Sequence, residues 1–236
     1  MEMNRICKKW GAFLLACLLT LAALAGNVSW CVQAEESKTV TTENGIVLTY
    51  DVFTNGTGAI TGNTQPISGK LVIPQRVDGK QVTKVFGIGK EDELTYVEFP
   101  EGVTGISGFS DCSKLSQVVI PSSAEYFGEF TFRNTPWFSE KQAENPLVIL
   151  NTTLLDGSAV AGDVRIPDGV TKINMRAFES AKNMKTVFIP ESINRIGWCA
   201  FLGCTLTDVY YSGTQEQWDA CLLYTSDAAD DLIGVD

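Results

Sequence analysis

The sequence contains no histidine. That removes the usual general base of serine and cysteine hydrolases, and the commonest side-chain metal ligand. Cysteine is sparse and unpatterned. Of seven, Cys7, Cys17 and Cys31 lie within residues 1–34 and Cys221 opens the last stretch, leaving Cys112, Cys199 and Cys204 without any CxxC spacing. Three such residues form neither a disulfide framework nor a zinc site. No apolar run of bilayer-spanning length follows residue 34. Basic residues are also in deficit, 18 Lys and Arg against 28 Asp and Glu, for a net charge of −10. A field of that sign attracts neither phosphate backbones nor anionic lipid, so nucleic acid is excluded as a partner.

The two ends differ from what lies between them. Arg5, Lys8 and Lys9 precede an apolar run over 10–25, and a more polar stretch closes on Val32-Gln33-Ala34. Small residues at the last and third-last places fit a secretory cleavage site, so residues 1–34 are read as a leader that export removes. A retained anchor is the other reading, but the run falls short of the ~20 residues a spanning helix needs. Residues 221–236 (CLLYTSDAADDLIGVD) share no pattern with the rest. They resemble a translated sequencing adapter: the common transposase adapter encodes Cys-Leu-Leu-Tyr-Thr-Ser-Asp-Ala-Ala-Asp, and an index with its flanking bases completes the stretch in frame. We therefore expect the natural sequence to be truncated at 220. The remaining 35–220 carry 15 basic and 23 acidic residues and suffice to bury a single core.

Within that span the sequence repeats itself. The phrase L-x-x-V-x-I-P, or a near relative, occurs as Leu71-x-Ile73-Pro74, Leu94-x-x-Val97-x-Phe99-Pro100 and Leu115-x-x-Val118-x-Ile120-Pro121. It returns as Val164-x-Ile166-Pro167, Met184-x-x-Val187-x-Ile189-Pro190 and Leu206-x-x-Val209-x-Tyr211. Its last strand position steps by 26, 21, 46, 23 and 22, and the 46 is two repeats of which one has lost its signature. V-T-x-I follows, as at Val82–Val85, Val103–Ile106, Val170–Ile173 and, as I-N-R-I, Ile193–Ile196. A third phrase, A-F-x-x-C, is present at Ala177-Phe178 and Ala200-Phe201, with a partial copy at Phe109-x-x-Cys112. V-x-I alternates and reads as a short strand, which proline ends because it cannot donate to a ladder. V-T-x-I forms a second apolar wall. A-F-x-x-C is too short for a free helix and drives a Phe inward as one helical or irregular turn. One such coil cannot bury its own apolar side chains; stacked copies make one continuous core.

These phrases resemble the BspA-type leucine-rich repeat proteins of bacteria, over residues ~70–220. The resemblance implies a leucine-rich repeat solenoid, strand-dominated α/β, with short parallel strands stacked one per ~22-residue coil. The stretch 145–157 resembles that family's longer variant repeat, with strands over 147–150 and 153–155 forming a hairpin-like excursion, and Asp208–Trp218 resembles a phrase found near repeat ends. Residues 35–69 read as an N-terminal β-hairpin-like cap, with strands on either side of Asn55-Gly56. The opposite end should be covered by chain beyond 220. In the coil at 121–143, Phe127, Phe130 and Phe132 replace the usual residues, and the third phrase is absent between Pro74 and Leu94. The core should be irregular at both places.

Chemistry is thin. Cys112 and Cys204 occupy a repeat position that Ala181 also fills, which marks buried structural thiols. Gly87-Ile88-Gly89-Lys90 lacks the context of a phosphate loop and reads as a turn. Asp163, Asp168 and the run Glu91-Asp92-Glu93 sit at turns, where carboxylates are solvated. No catalytic residue, metal site or cofactor is expected. The middle residue of V-x-I points outward, and stacking places Glu98, Val119, Arg165, Phe188 and Tyr210 in one row. Aromatics and arginine are enriched where interfaces carry energy, so this row is the candidate binding site. The bland reading is cross-strand stacking that only stiffens a sheet. The resemblance implies a secreted or cell-surface adhesion protein whose partner is a host matrix protein or another cell's surface protein. A structural spacer carrying a missing C-terminal module is the alternative.

Overall fold

The structure, a computed structural model, describes residues 4–6 and 38–222. The expected leader therefore lies outside the described residues, apart from a short strand β1 (Asn4–Ile6). After it come β2 (Lys38–Thr41), β3 (Val47–Val52) and β4 (Gly58–Asn63), then β5 (Ser68–Val72), β6 (Arg76–Val77) and β7 (Lys80–Ile88). The chain continues through β8 (Glu93–Glu98), β9 (Gly105–Gly108), β10 (Gln117–Val119) and β11 (Tyr126–Phe127) to helix α1 (Pro136–Glu144). Then follow β12 (Val148–Leu150), β13 (Thr153–Asp156), β14 (Gly162–Arg165), β15 (Lys172–Ile173), β16 (Met184–Ile189), β17 (Arg195–Ile196), β18 (Asp208–Tyr211) and helix α2 (Gln215–Leu222).

A regular turn of the solenoid adds one strand to each of two walls. V-x-I strands make the first wall, in two parallel sheets ordered β5-β8-β10 and β14-β16-β18, with β1 antiparallel on the outer edge of β18. V-T-x-I strands make the second wall, with seven turns represented by β4, β7, β9, β11, β13, β15 and β17. The apolar positions of both walls face inward: Leu71, Val97, Val187, Val82 and Ile196 are all completely buried. At the N-terminal end β2, β3 and β4 form an antiparallel meander that extends the second wall, and it sends Leu48, Tyr50 and Ile60 into the core. The turn between β3 and β4 falls at Asn55-Gly56, with Gly56 in the left-handed region. At the other end α2 lays Trp218 and Cys221 against Tyr211 and the last coil. That end is thus partly covered by residues before 222, where we expected cover only from chain beyond 220.

Of the two forms expected for the third phrase, the chain takes the irregular turn and not the helical one. Two residues before the core rings of Phe132, Phe178 and Phe201, at Phe130, Arg176 and Cys199, the backbone is left-handed, and so it is two residues after, at Asn134, Ser180 and Gly203. Left-handed φ costs a non-glycine residue about 1–2 kcal/mol. Here it is offset by hydrogen bonds to the next coil: the amides of Arg176, Phe178 and Ser180 donate to the carbonyls of Trp198, Ala200 and Leu202. The Phe178 and Phe201 rings stack between coils with centroids 5.0 Å apart. Gly157 is required there, since a Cβ on it would lie 2.3 Å from the Phe178 ring. Gly87 has a comparable reason: its φ is +76°, and a Cβ would fall 1.9 Å from the Thr61 carbonyl oxygen. Of the glycine pair at 87–89, Gly87 thus serves close coil approach, while Gly89 faces open space.

Both walls break at the same place. The coil at 121–143 contributes β11 to the second wall but no V-x-I strand; instead Thr135 caps α1, accepting from the Phe138 amide at 3.1 Å. The helix inserts Trp137 and Phe138, and Phe99, Phe109, Phe132 and Trp137 pack ring to ring. The segment expected as a hairpin excursion is part of the solenoid. β12 and β13 pair antiparallel, but β13 also pairs parallel with β15 and takes the second-wall place of its coil. Nor is the core continuous. Leu155 belongs to one buried cluster with the N-terminal coils, and its neighbour Leu154 to a second with the C-terminal coils. Side chains bridge the interrupted ladder: Asn151 Nδ2 donates to the carbonyls of Pro121 and Ala124, both at 2.9 Å, and Thr153 Oγ1 to that of Glu125 at 3.1 Å.

Glu91 is buried, not solvated as its run of carboxylates suggested. It accepts from Asn63 Nδ2 at 2.6 Å and from the Ile67 amide at 2.7 Å, which fixes the loop between β4 and β5. Cys112, Cys204 and Cys221 are free thiols, and these three and Cys199 are buried. Cys204 Sγ donates to the Phe178 carbonyl at 2.9 Å, one coil back. Burial pushes its thiol up to about 11 and moves that of Cys112 in the same direction, so neither is a nucleophile at neutral pH. Of the stretch read as foreign, only Cys221 and Leu222 lie among the described residues.

Two predictions follow from this packing. Phe178→Ala and Phe201→Ala should each destabilise by ~3–5 kcal/mol, because each leaves a cavity between coils. Chemical unfolding of both variants at the parent's midpoint would mean the repeat register is wrong. A thiol whose folded pKa is raised contributes stability below its unfolded value, lost as pH rises through the folded one. The melting difference between the parent and Cys204→Ala should therefore shift against the parent between pH 9 and 11. A difference constant over that window would contradict the assignment.

Candidate binding surfaces

The outward row of the first wall exists in two pieces. Arg165, Phe188 and Tyr210 are in register on β14, β16 and β18. The Phe188 and Tyr210 rings stack with centroids 5.0 Å apart and 10° between planes, and the Arg165 guanidinium lies 3.7 Å from the Phe188 centroid. Both rings are half-buried by this stacking, while Arg165 is exposed. Glu98 and Val119 pair with each other on β8 and β10, in the other sheet. The α1 coil separates the two groups, so the five residues do not form the single line expected of them. Glu98 is moreover occupied by its own neighbours. Tyr96 donates to it at 2.6 Å, Lys70 lies 3.4 Å away, and these hold its carboxyl below the usual range.

The second wall carries an outward row that the repeat reading passed over. The x of V-T-x-I places Lys84, Gly105 and Tyr126 in register on β7, β9 and β11, and Thr153, Lys172 and Arg195 on β13, β15 and β17. With the residues that follow, they line a groove of about 680 Å³. Phe86, Tyr126 and Trp198 line it, at 38%, 49% and 42% exposure, and among the described residues they are the large aromatic side chains most open to solvent. Cations are held beside them. Lys172 Nζ lies 4.2 Å from the Tyr126 centroid and 2.9 Å from Glu125, and Arg195 lies 5.6 Å from the same ring. At the groove's edge Arg176 lies 5.1 Å from the Trp198 centroid, bound by Glu129 at 2.7 Å and Glu179 at 2.6 Å. The signal was in the sequence, as Lys, Lys and Arg at one position of V-T-x-I. Tyr126 was hidden, because Ala124-Glu125-Tyr126-Phe127 is a degenerate copy.

Nothing in either surface assembles a reactive group. Asp163 and Asp168 are exposed at turns. Among the described residues no three His, Cys, Asp or Glu come together to hold a metal ion. Both surfaces combine aromatic rings with cations, a combination suited to reversible contact with another molecule.

Six copies of the BspA type leucine rich repeat region match residues 105–228. Among solved structures, the T. pallidum leucine rich repeat protein is 21% identical with a TM-score of 0.37, over 67% of this chain and 66% of that one. This chain thus spans just under two thirds of that protein. A leucine rich cell surface protein from Faecalibacterium prausnitzii is 16% identical with a TM-score of 0.27, over 82% of this chain and 99% of that one. The pneumococcal vaccine antigen PcpA is 13% identical with a TM-score of 0.27, over 75% and 70% respectively. None of the curated proteins matches the chain. The repeat match takes in more than half of the 236 residues, and the same coil continues N-terminally through β7 and β4. The chain belongs to the BspA-type leucine-rich repeat family.

Proposed function

We propose that this is an exported, non-catalytic recognition protein that binds a protein partner at a bacterial surface, in adhesion to host matrix or to another cell. The observation that carries the reading is the Arg165–Phe188–Tyr210 ladder. Its side chains lie on the outer face of the first wall, where the core does not need them, and they are of the types that anchor interfaces. Export is supported by the leader pattern over 1–34, and no described helix is long and apolar enough to cross a membrane. Lack of histidine and of a convergent polar site argues against chemistry. With leader removal, β1 would leave and the outer edge of β18, beside Tyr210, would be open.

The test is the double variant Phe188→Ser/Tyr210→Ser. Stacked, half-buried rings contribute to folding, so the double change should cost about 1–2 kcal/mol of stability. If the rings are anchors, partner binding should fall by ~2 kcal/mol or more, which is about thirtyfold in affinity. Binding of the purified chain to immobilised matrix proteins and to bacterial cells measures this. Equal binding by parent and variant would remove the ladder from the interface.

A further inference from the structure

We propose that the groove on the second wall docks an extended peptide segment of a partner protein, one that carries a carboxylate beside an apolar side chain. The proposal deepens the recognition reading above and rests on it. Exposed aromatic rings are costly to leave in water, and here Phe86, Tyr126 and Trp198 are spaced along one groove. From Lys84 on β7 to Arg195 on β17 the groove crosses five coil-to-coil steps, ~24 Å at the usual strand spacing. An extended peptide covers that distance with about seven residues. Such a peptide would run across the strands, so its side chains are read and its backbone adds no strand to the sheet.

Charge selects the occupant. The chain is strongly acidic, yet Lys84, Lys172 and Arg195 face this groove against one carboxylate, Glu125. Among the described residues Lys84 makes no ion pair; its Nζ lies 5.7 Å from the Phe53 centroid. Lys172 is held by the Tyr126 ring and Glu125, so little of its side-chain entropy remains to be lost on binding, and Arg195 lies beside the same ring. A sulfated glycan fits less well. Glu125 in the middle of the groove opposes a polyanion, and sugar rings stack on open aromatic faces, whereas the central ring, Tyr126, already carries Lys172 over its face. A peptide with one or two acids needs only the cations present, and its apolar side chain meets Phe86 or Trp198.

An array of immobilised octapeptides tests this, each acidic-apolar sequence paired with its Asn or Gln counterpart, probed with the purified chain. Selected peptides are then made soluble and titrated by fluorescence anisotropy, with heparin as a separate arm. We expect replacing the acid by its amide, and Lys84→Glu or Trp198→Ser in the chain, each to weaken binding by about tenfold or more. Lys84 and Trp198 are exposed, and unchanged melting temperatures confirm that the variants fold. Equal binding of acid and amide peptides, or parent-like binding by both groove variants, overturns the proposal. Retention of heparin without any peptide also overturns it, in favour of a glycan. Loss of peptide in Phe188→Ser/Tyr210→Ser alone would move the site to the first wall. If no peptide binds while the chain still binds matrix proteins or cells, the groove falls and the recognition reading stands; if neither binds, both fall.

Discussion

Everything in this molecule depends on one constraint: a coil of this sequence has apolar side chains on three sides and can bury them only against another coil. Val97, Val187, Val85 and Ile173 are buried because a neighbour lies above and below, and each burial is worth ~1.5–3 kcal/mol. The same contacts make the third segment tolerable. Its left-handed residues are held by amides that reach the next coil, so the strain is offset between coils. Tight stacking then dictates Gly157 and Gly87, at places where a Cβ would meet a ring or a carbonyl.

The coil at 121–157 shows what happens when the repeat fails. Without a V-x-I strand the first wall stops, and α1 with its Trp137 and Phe138 fills the space. β13, with Thr153, Leu154 and Leu155 all buried, becomes a partition with a core cluster on either side. Asn151, Thr153, Lys172 and Asn174 then carry by side chain the connections that backbone ladders make elsewhere. Function inherits this division. The first-wall row is cut in two, while the second-wall groove runs past the break with Tyr126 on one side of it and Lys172 on the other.

The architecture was legible because its signals are periodic. V-x-I, V-T-x-I and the core Phe each recur with a spacing that only stacked coils satisfy, and the place of the break was visible in the doubled step of 46. What happens at the break was not. Thr135-Pro136 is a helix start, but Leu154 and Leu155 read as an excursion because nothing local reveals that a strand will be buried on both faces. Glu91 was misread for a related reason: its partners, Asn63 and the Ile67 amide, belong to the preceding coil. The groove escaped because one of its central residues, Tyr126, sits in the most degenerate repeat.

If burial between coils carries the stability and β13 divides it, the protein should open in two cooperative blocks. Native-state hydrogen exchange on the intact chain measures this directly. Ladder amides from the coils before 128 and those from the coils after 162 should show two distinct opening free energies, and Phe178→Ala should lower only the second. A single opening free energy shared by both sets, lowered throughout by that substitution, would contradict the account.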